Sequence, residues 1–376
     1  MKEKIKEQAS NNLEDLIKSI KIICGMDSRR GEYSKQYPFG ENVAKCLQEV
    51  LRIGDELGFE TYNYDNIVGE VSFGPDTKEY IGIVGHLDVV DINGVWKSDP
   101  FTCAQIDNTL YARGVLDNKG PILACLYALK TLKDLNIKFP IKVKVLFGTN
   151  EETGMEDMNW FFKDHPYPSL GFTPDCKYPV VYAERGRAQI KISYPYTALD
   201  KYLKFINNYI MNQTDLSNSL GLDYEDEEFG KNQIRKIILT EGNNYLNVEL
   251  ITSYPATYSC DQMIKSIIKI IDEEAKVELM SNLEPVFFEK ESFLIKTLEK
   301  AYENIMMEEG KAVTTTGGTY AKVIKNIVPF GPSFKGQKNI AHLPNEWMKI
   351  SDIEKNMQIY AYAIYLLMDF EKGENA

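Results

Sequence analysis

Residues 80–88 read Tyr80-Ile81-Gly82-Ile83-Val84-Gly85-His86-Leu87-Asp88, an apolar run that closes on a histidine and an aspartate. Apolar runs this short, with β-branched residues, suit strands buried on both faces. Upstream lies a second β-rich run, Val68 to Phe73; downstream come a helix-like stretch, Pro121 to Leu135, and another apolar run, Val143 to Phe147. Buried strands joined through a helix imply a mostly parallel sheet flanked by helices, an α/β fold. In such a fold the side chains that do chemistry gather beyond the carboxyl ends of the strands.

Further out, Leu13, Leu16, Ile17 and Ile20 have helical spacing, and Val43, Leu47, Val50 and Leu51 repeat it after the Pro38-Phe39-Gly40 break. From about residue 188 the order changes to a strand at Ile190–Tyr194, a helix near Leu199–Met211, strands at Ile234–Leu239 and Leu246–Ile251, and a helix at Asp261–Glu274. That order suits a small two-layer α+β domain. Helical patterns resume around Phe293–Met307 and Ile353–Phe370. The expected organisation is a discontinuous larger domain, residues 1–187 and 286–376, interrupted by an inserted α+β domain, residues 188–285.

Composition narrows the function classes. A chain of 376 residues is long enough for two cores, and 44% hydrophobic with 26% charged residues is the balance of an ordinary globular protein. The net charge of -12 and a pI near 5.0 repel polyanions, so neither nucleic acid nor an acidic membrane surface is expected as a partner. Met1 to Gln8 alternates Lys and Glu without the apolar core of a signal peptide, and no later stretch suits a membrane span. The six cysteines show no C-x-x-C pair and read as reduced thiols, which implies a cytoplasmic protein.

Five separated places carry residues suited to metal chemistry. In the opening stretch, strand alternation points His86 and Asp88 the same way, so Asp88 can accept one ring N–H of His86 and leave the other nitrogen for a cation. Ala112-Arg113-Gly114-Val115-Leu116-Asp117-Asn118-Lys119-Gly120 sets Asp117 in a glycine-punctuated loop, where it either caps the following helix or bridges two cations. Glu151 and Glu152 follow the run Val143 to Phe147 by a few residues; they form a solvated turn, or one binds metal while the other acts as a base. Asp175 follows Pro174, as a turn residue or an oxygen ligand, and His342 stands in Ile340-Ala341-His342-Leu343-Pro344-Asn345-Glu346. Of only 3 histidines, two occupy these places, and the remaining His165 in a polar loop has no assigned role. Two imidazoles with three carboxylates suit zinc, with cobalt or manganese as substitutes.

Together these segments resemble the zinc-dependent aminoacylase, carboxypeptidase G and desuccinylase superfamily, and within it the PepV-like dipeptidases. The likeness rests on Gly85-His86-Leu87-Asp88, Ala112-Arg113-Gly114 with Asp117 and Lys119-Gly120, Glu151-Glu152, Pro174-Asp175, Gly317-Gly318-Thr319-Tyr320-Ala321, Phe330-Gly331-Pro332 and Ala341-His342. It implies two divalent metal ions, with Asp117 bridging them, His86 and Asp175 completing one site and Glu152 and His342 the other. It further implies Glu151 as the general base, Asp88 as the group that orients His86, and a cis peptide bond after Asp117. The loop Gly317-Gly318-Thr319-Tyr320 is then expected at the substrate cleft, and the inserted domain serves as a lid or dimerisation domain. The chain would be a monomer or a homodimer through that domain.

The family pattern is not complete. Residues 188–285 hold no histidine, and no arginine stands before Tyr254-Pro255. The insertion is also short for the doubled lid of a PepV-like protein. The resemblance implies hydrolysis of the amide bond of dipeptides or small peptide-like substrates. An N-acyl amino acid deacylase or desuccinylase shares the same motifs, and a metal- or peptide-binding homologue without turnover accounts for the missing lid residues.

Overall fold

The computed structural model describes residues 1–370, which form two compact units: one of Met1–Val181, Glu289–Val313 and the chain from Thr319 onward, the other of Tyr182–Phe288 and Thr314–Gly318. The sequence placed the insertion at 188–285. The second unit instead starts six residues earlier, ends three later, and takes in the five residues 314–318 from far along the chain.

The larger unit is built on a six-stranded sheet. Its strands are β1 (Glu60–Tyr64), β2 (Val68–Phe73), β3 (Tyr80–His86), β4 (Lys142–Gly148), β5 (Leu170–Thr173) and β6 (Ile327–Pro329), in the spatial order β1-β2-β4-β3-β5-β6. β3 pairs in parallel with β4 and β5, and β5 with β6; β2 alone runs against its neighbours β1 and β4. Every residue of β3 is buried, as its unbroken apolar run requires of a central strand. The register sets His86 beside Gly148, so the last residues of β3 and β4 meet at one edge of the sheet.

Among the described residues, five helices of fourteen or more residues and the short helix Glu156–Phe161 pack around it. α1 (Lys2–Cys24), α3 (Lys119–Asp134) and α5 (Ile350–Leu367) pack on one another, α2 (Glu41–Glu56) lies on β1 and β2, and α4 (Phe293–Met306) on α5. α3 buries 13 of its 16 residues, so it is apolar nearly all round, as a helix enclosed by its neighbours must be. α3 approaches β3 so closely that a Cβ on Gly85 would lie 2.3 Å from Asn118 Oδ1 and 2.9 Å from Ile122. Glycine at 85 is therefore what lets the start of α3 lie against the end of β3.

The smaller unit holds a four-stranded antiparallel sheet in the order Gln233–Gly242, Tyr245–Tyr254, Gly186–Pro195, Lys276–Leu283. Its first two strands are joined by Asn243 and Asn244, both left-handed at φ 52° and 65°, as a tight two-residue hairpin demands. Ile190, Ile192, Val248 and Leu250 face Phe205, Met263 and Ile267 in one core, while Lys191–Glu278 and Ser193–Asn247 pairs mark the polar face. The helix expected to run to Glu274 is Cys260–Ile268, started by a Ser259–Gln262 capping box. The helix expected over 199–211 is an α-helix only to Phe205 and continues as a π turn to Ile210. Between the short strands Cys176–Lys177 and Val181–Glu184 the Tyr178–Pro179 bond is cis. No helix among the described residues is long and apolar enough to cross a membrane.

Candidate metal centre

The carboxyl ends of β3 and β4, the loop before α3, the turn after β5 and the loop before α5 converge in the larger unit, bringing His86, Asp117, Glu151, Glu152, Asp175 and His342 together. Asp117 lies at the middle. Its Oδ1 is 3.1 Å from His86 Nε2, and its Oδ2 is 3.0 Å from His342 Nε2. His86 Nε2 also lies 3.6 Å from Asp175 Oδ2, and His342 Nε2 is 3.1 Å from Glu152 Oε1. Potential ligand atoms of His86, Glu151 and Asp175 fall within 4.8 Å of one another, as do those of His86, Asp117 and Glu152. α3 begins after Asn118 with no side-chain cap, so Asp117 is not the helix cap that its position also allowed. The Asp117–Asn118 peptide bond is cis.

The imidazoles differ in setting. The His86 side chain is wholly buried, whereas that of His342 is 53% exposed. Burial opposes charge on His86, but its hydrogen bonds with Asp117 and Asp88 and the charge of Asp175 together carry its pKa well above the ordinary imidazole range. For His342, the contacts with Asp117 and then Glu152 raise the pKa to about 11. Burial pushes Glu151 and Asp175 well above the usual carboxylate range, and neighbouring carboxylates add to the rise. Buried charges are tolerated when paired or when they coordinate metal. This crowd of carboxylates around two imidazoles fits divalent cations with nitrogen and oxygen ligands.

Asp88 makes more contacts than the sequence reading gave it. The nearest acceptor for His86 Nδ1 is the backbone carbonyl of Asp88 at 2.9 Å, with the carboxylate at 3.4 Å. The carboxylate also accepts the backbone N–H groups of Glu151 (3.0 Å) and Glu152 (3.1 Å). Residue 88 thus faces the ring with both its carbonyl and its carboxylate, and the carboxylate also holds the backbone of the acidic pair, a second role that strand alternation alone did not reveal.

Tyr320, expected at the substrate cleft, is fully buried. Its hydroxyl donates to Asp157 Oδ2 at 2.5 Å, and its ring stands edge-on to His86 at 6.3 Å. Thr319 is also buried and accepts Ala321 N–H through its Oγ1; Gly317 and Gly318 are exposed and belong to the smaller unit. Asp157 itself accepts Thr149 N–H (2.6 Å) and Asn150 N–H (2.9 Å), so four successive amides after β4 end on two buried aspartates. A Cβ on Gly148 would lie 1.9 Å from the Tyr320 hydroxyl, which explains the glycine that ends β4.

Burial raises Asp157 to about 6, against the downward pull of the Tyr320 hydroxyl and backbone donors. Because that folded value exceeds the unfolded one, the stability linked to Asp157 is present at low pH and lost as pH rises from about 4 to about 6. Tyr320→Phe raises the folded value further. Its cost is therefore smallest below pH 5 and reaches about 1–3 kcal/mol at pH 8. Urea unfolding of metal-free protein at both pH values measures this; an equal loss at both would show that the hydroxyl does not act through Asp157.

Glu346, Arg113 and Asp157 also belong to this region, and Arg185 to the smaller unit, without a role assigned to any of them from the sequence. Arg185 is buried and donates to Ser253 Oγ at 3.0 Å and to the carbonyls of Ser253, Phe229 and Lys231. Its place beside the Tyr254-Pro255 strand end had no signal in local sequence, because it comes from the junction between the strands Val181–Glu184 and Gly186–Pro195.

Comparison with known proteins gives this arrangement a context. Residues 82–366 match the profile of Peptidase family M20/M25/M40. A putative dipeptidase of Bacillus subtilis, YtjP, is 27% identical over an alignment covering 94% of this chain and 97% of the relative. A β-Ala-Xaa dipeptidase of Lactobacillus delbrueckii is 25% identical, covering 98% and 99%. Both alignments, of 453 and 466 positions, are longer than the 376-residue chain, so the relatives carry stretches that it lacks. In structure the chain resembles human carnosine dipeptidase 1, with a TM-score of 0.70, 15% identity, and 98% and 99% of the two chains covered. With most of its length matched by the family profile, the chain belongs to peptidase family M20/M25/M40 and is a metallopeptidase enzyme of that family.

Proposed function

We propose that this chain is a dipeptidase that hydrolyses the amide bond of short peptides with two divalent cations, zinc suiting the ligands best and cobalt or manganese next. The observation that carries the reading is Asp117, whose two oxygens each face a different imidazole at 3.1 and 3.0 Å. His86 and Asp175 would hold one ion with Asp117, and Glu152 and His342 the other. Divalent cations, when bound, acidify water and polarise the scissile carbonyl.

The chain's own groups do the rest. The carbonyl of Asp88 holds His86 in the tautomer that presents Nε2, and the Asp88 carboxylate fixes the backbone from which Glu151 projects. Glu151, whose proton affinity burial has increased, takes a proton from the attacking water and returns it to the leaving amine. The relative named a β-Ala-Xaa dipeptidase supports a substrate with a free amino terminus. None of the six cysteines forms a disulfide, which supports a cytoplasmic setting. The exposed Leu279, Met280 and Leu283 on the edge strand Lys276–Leu283 support a homodimer through the smaller unit.

A panel of dipeptides and N-acyl amino acids assayed in zinc, cobalt and manganese tests the proposal. Dipeptides are expected to be cleaved and N-acyl amino acids left intact. Cleavage of the acylated compounds alone would make the chain a deacylase, and tight dipeptide binding without product in any metal would make it a binding protein.

A further inference from the structure

Glu346 lies four residues after His342 and its side chain is completely buried. One carboxylate oxygen accepts the backbone N–H groups of Leu116 (2.8 Å) and Asp117 (3.0 Å); the other accepts Arg113 Nη1 at 2.8 Å. The backbone carbonyl of Glu346 accepts Ala112 N–H at 3.2 Å. A single residue thus grips the loop that presents Asp117 at four points, while standing on the loop that presents His342.

The His342 loop needs such an anchor. His342 and Asn345 are both left-handed, at φ 63° and 60°, a conformation costly to L side chains unless the surroundings impose it. The loop is tied down from outside itself: Arg113 Nη1 reaches Leu343 O at 3.4 Å, Lys97 N–H donates to Asn345 Oδ1 at 2.7 Å, and Asn345 Nδ2 reaches Val95 O at 3.3 Å. His86, by contrast, ends a fully buried central strand and is fixed within it.

We infer that Glu346, braced by Arg113, is a positioning residue that locks the Asp117 and His342 loops in register and so builds the outer of the two cation sites. The inference rests on the two-ion reading above. Removing the clamp lets Asp117 and His342 drift apart, so the ion that depends on both is weakened first; the ion held by His86, Asp175 and Asp117 keeps two ligands, His86 and Asp175, that the clamp does not touch.

The test is titration of metal-stripped protein with cobalt(II) alone, followed by visible absorption, beside thermal melting without metal. Parent protein is expected to take up two equivalents. In Glu346→Gln, where an amide N–H must face either Arg113 or the two backbone donors, the second equivalent is expected to bind at least tenfold more weakly and the first within about threefold of parent. If an unpaired Arg113 prevents folding, the double variant Arg113→Met/Glu346→Met removes both charges together and decides the matter by the same measurement. A purely structural Glu346 would lower the melting temperature without separating the two affinities. Two equivalents bound with parental affinity in a folded variant overturn the inference; fewer than two in the parent overturn it together with the two-ion reading.

Discussion

Glu151→Gln is expected to lower kcat for dipeptide hydrolysis by about 10²- to 10⁴-fold, the range over which a positioned general acid–base group contributes. The amide is nearly the same size as the carboxylate, and the hydrogen bond from the backbone of residue 151 to Asp88 does not depend on the side chain. Metal content should therefore stay at the parental value. The site around His86 and Asp175 loses a nearby negative charge, but its other ligand atoms remain in place. Steady-state kinetics beside elemental analysis separates the possibilities: turnover within about tenfold of parent at full metal content would move the base to another group.

Asp117→Asn strikes both cations at once. The parent residue offers one oxygen toward each imidazole, whereas an amide offers oxygen to one side and N–H to the other. An N–H aimed at a cation repels it, so no rotamer of asparagine serves both. Bound metal is expected to fall from two ions per chain to one or none. Hydrolysis should fall by about 10²-fold or more, since metal polarisation supplies several kcal/mol at about 1.4 kcal/mol per factor of ten. A variant that retained two tightly held ions would show that Asp117 does not bridge them.

The sequence made the convergence legible because the residues that meet there follow features that local patterns report. His86 ends an apolar strand, Glu151 and Glu152 lie in the turn just after the neighbouring parallel strand, and Asp117 precedes a helix whose buried length is written in its apolar residues. What it could not report was pairing over distance. Glu346 meets Leu116 and Asp117 about 230 residues away, and Tyr320 meets Asp157 at a separation of 163, contacts that no short window contains. The same limit explains Tyr320, whose glycine-rich surroundings read as an open loop while the fold buries the ring beside His86. Unit boundaries shifted for a related reason: residues 314–318 belong with a segment from which they are separated by a whole helix, α4.

The turn from Thr149 to Glu152 has a further consequence. With each of its four amide protons already lodged on Asp88 or Asp157, the segment has no spare donor through which to loosen by stages. Opening it means breaking hydrogen bonds to two buried carboxylates, so these four amides are expected to exchange their hydrogens late, together with those of the strand before them.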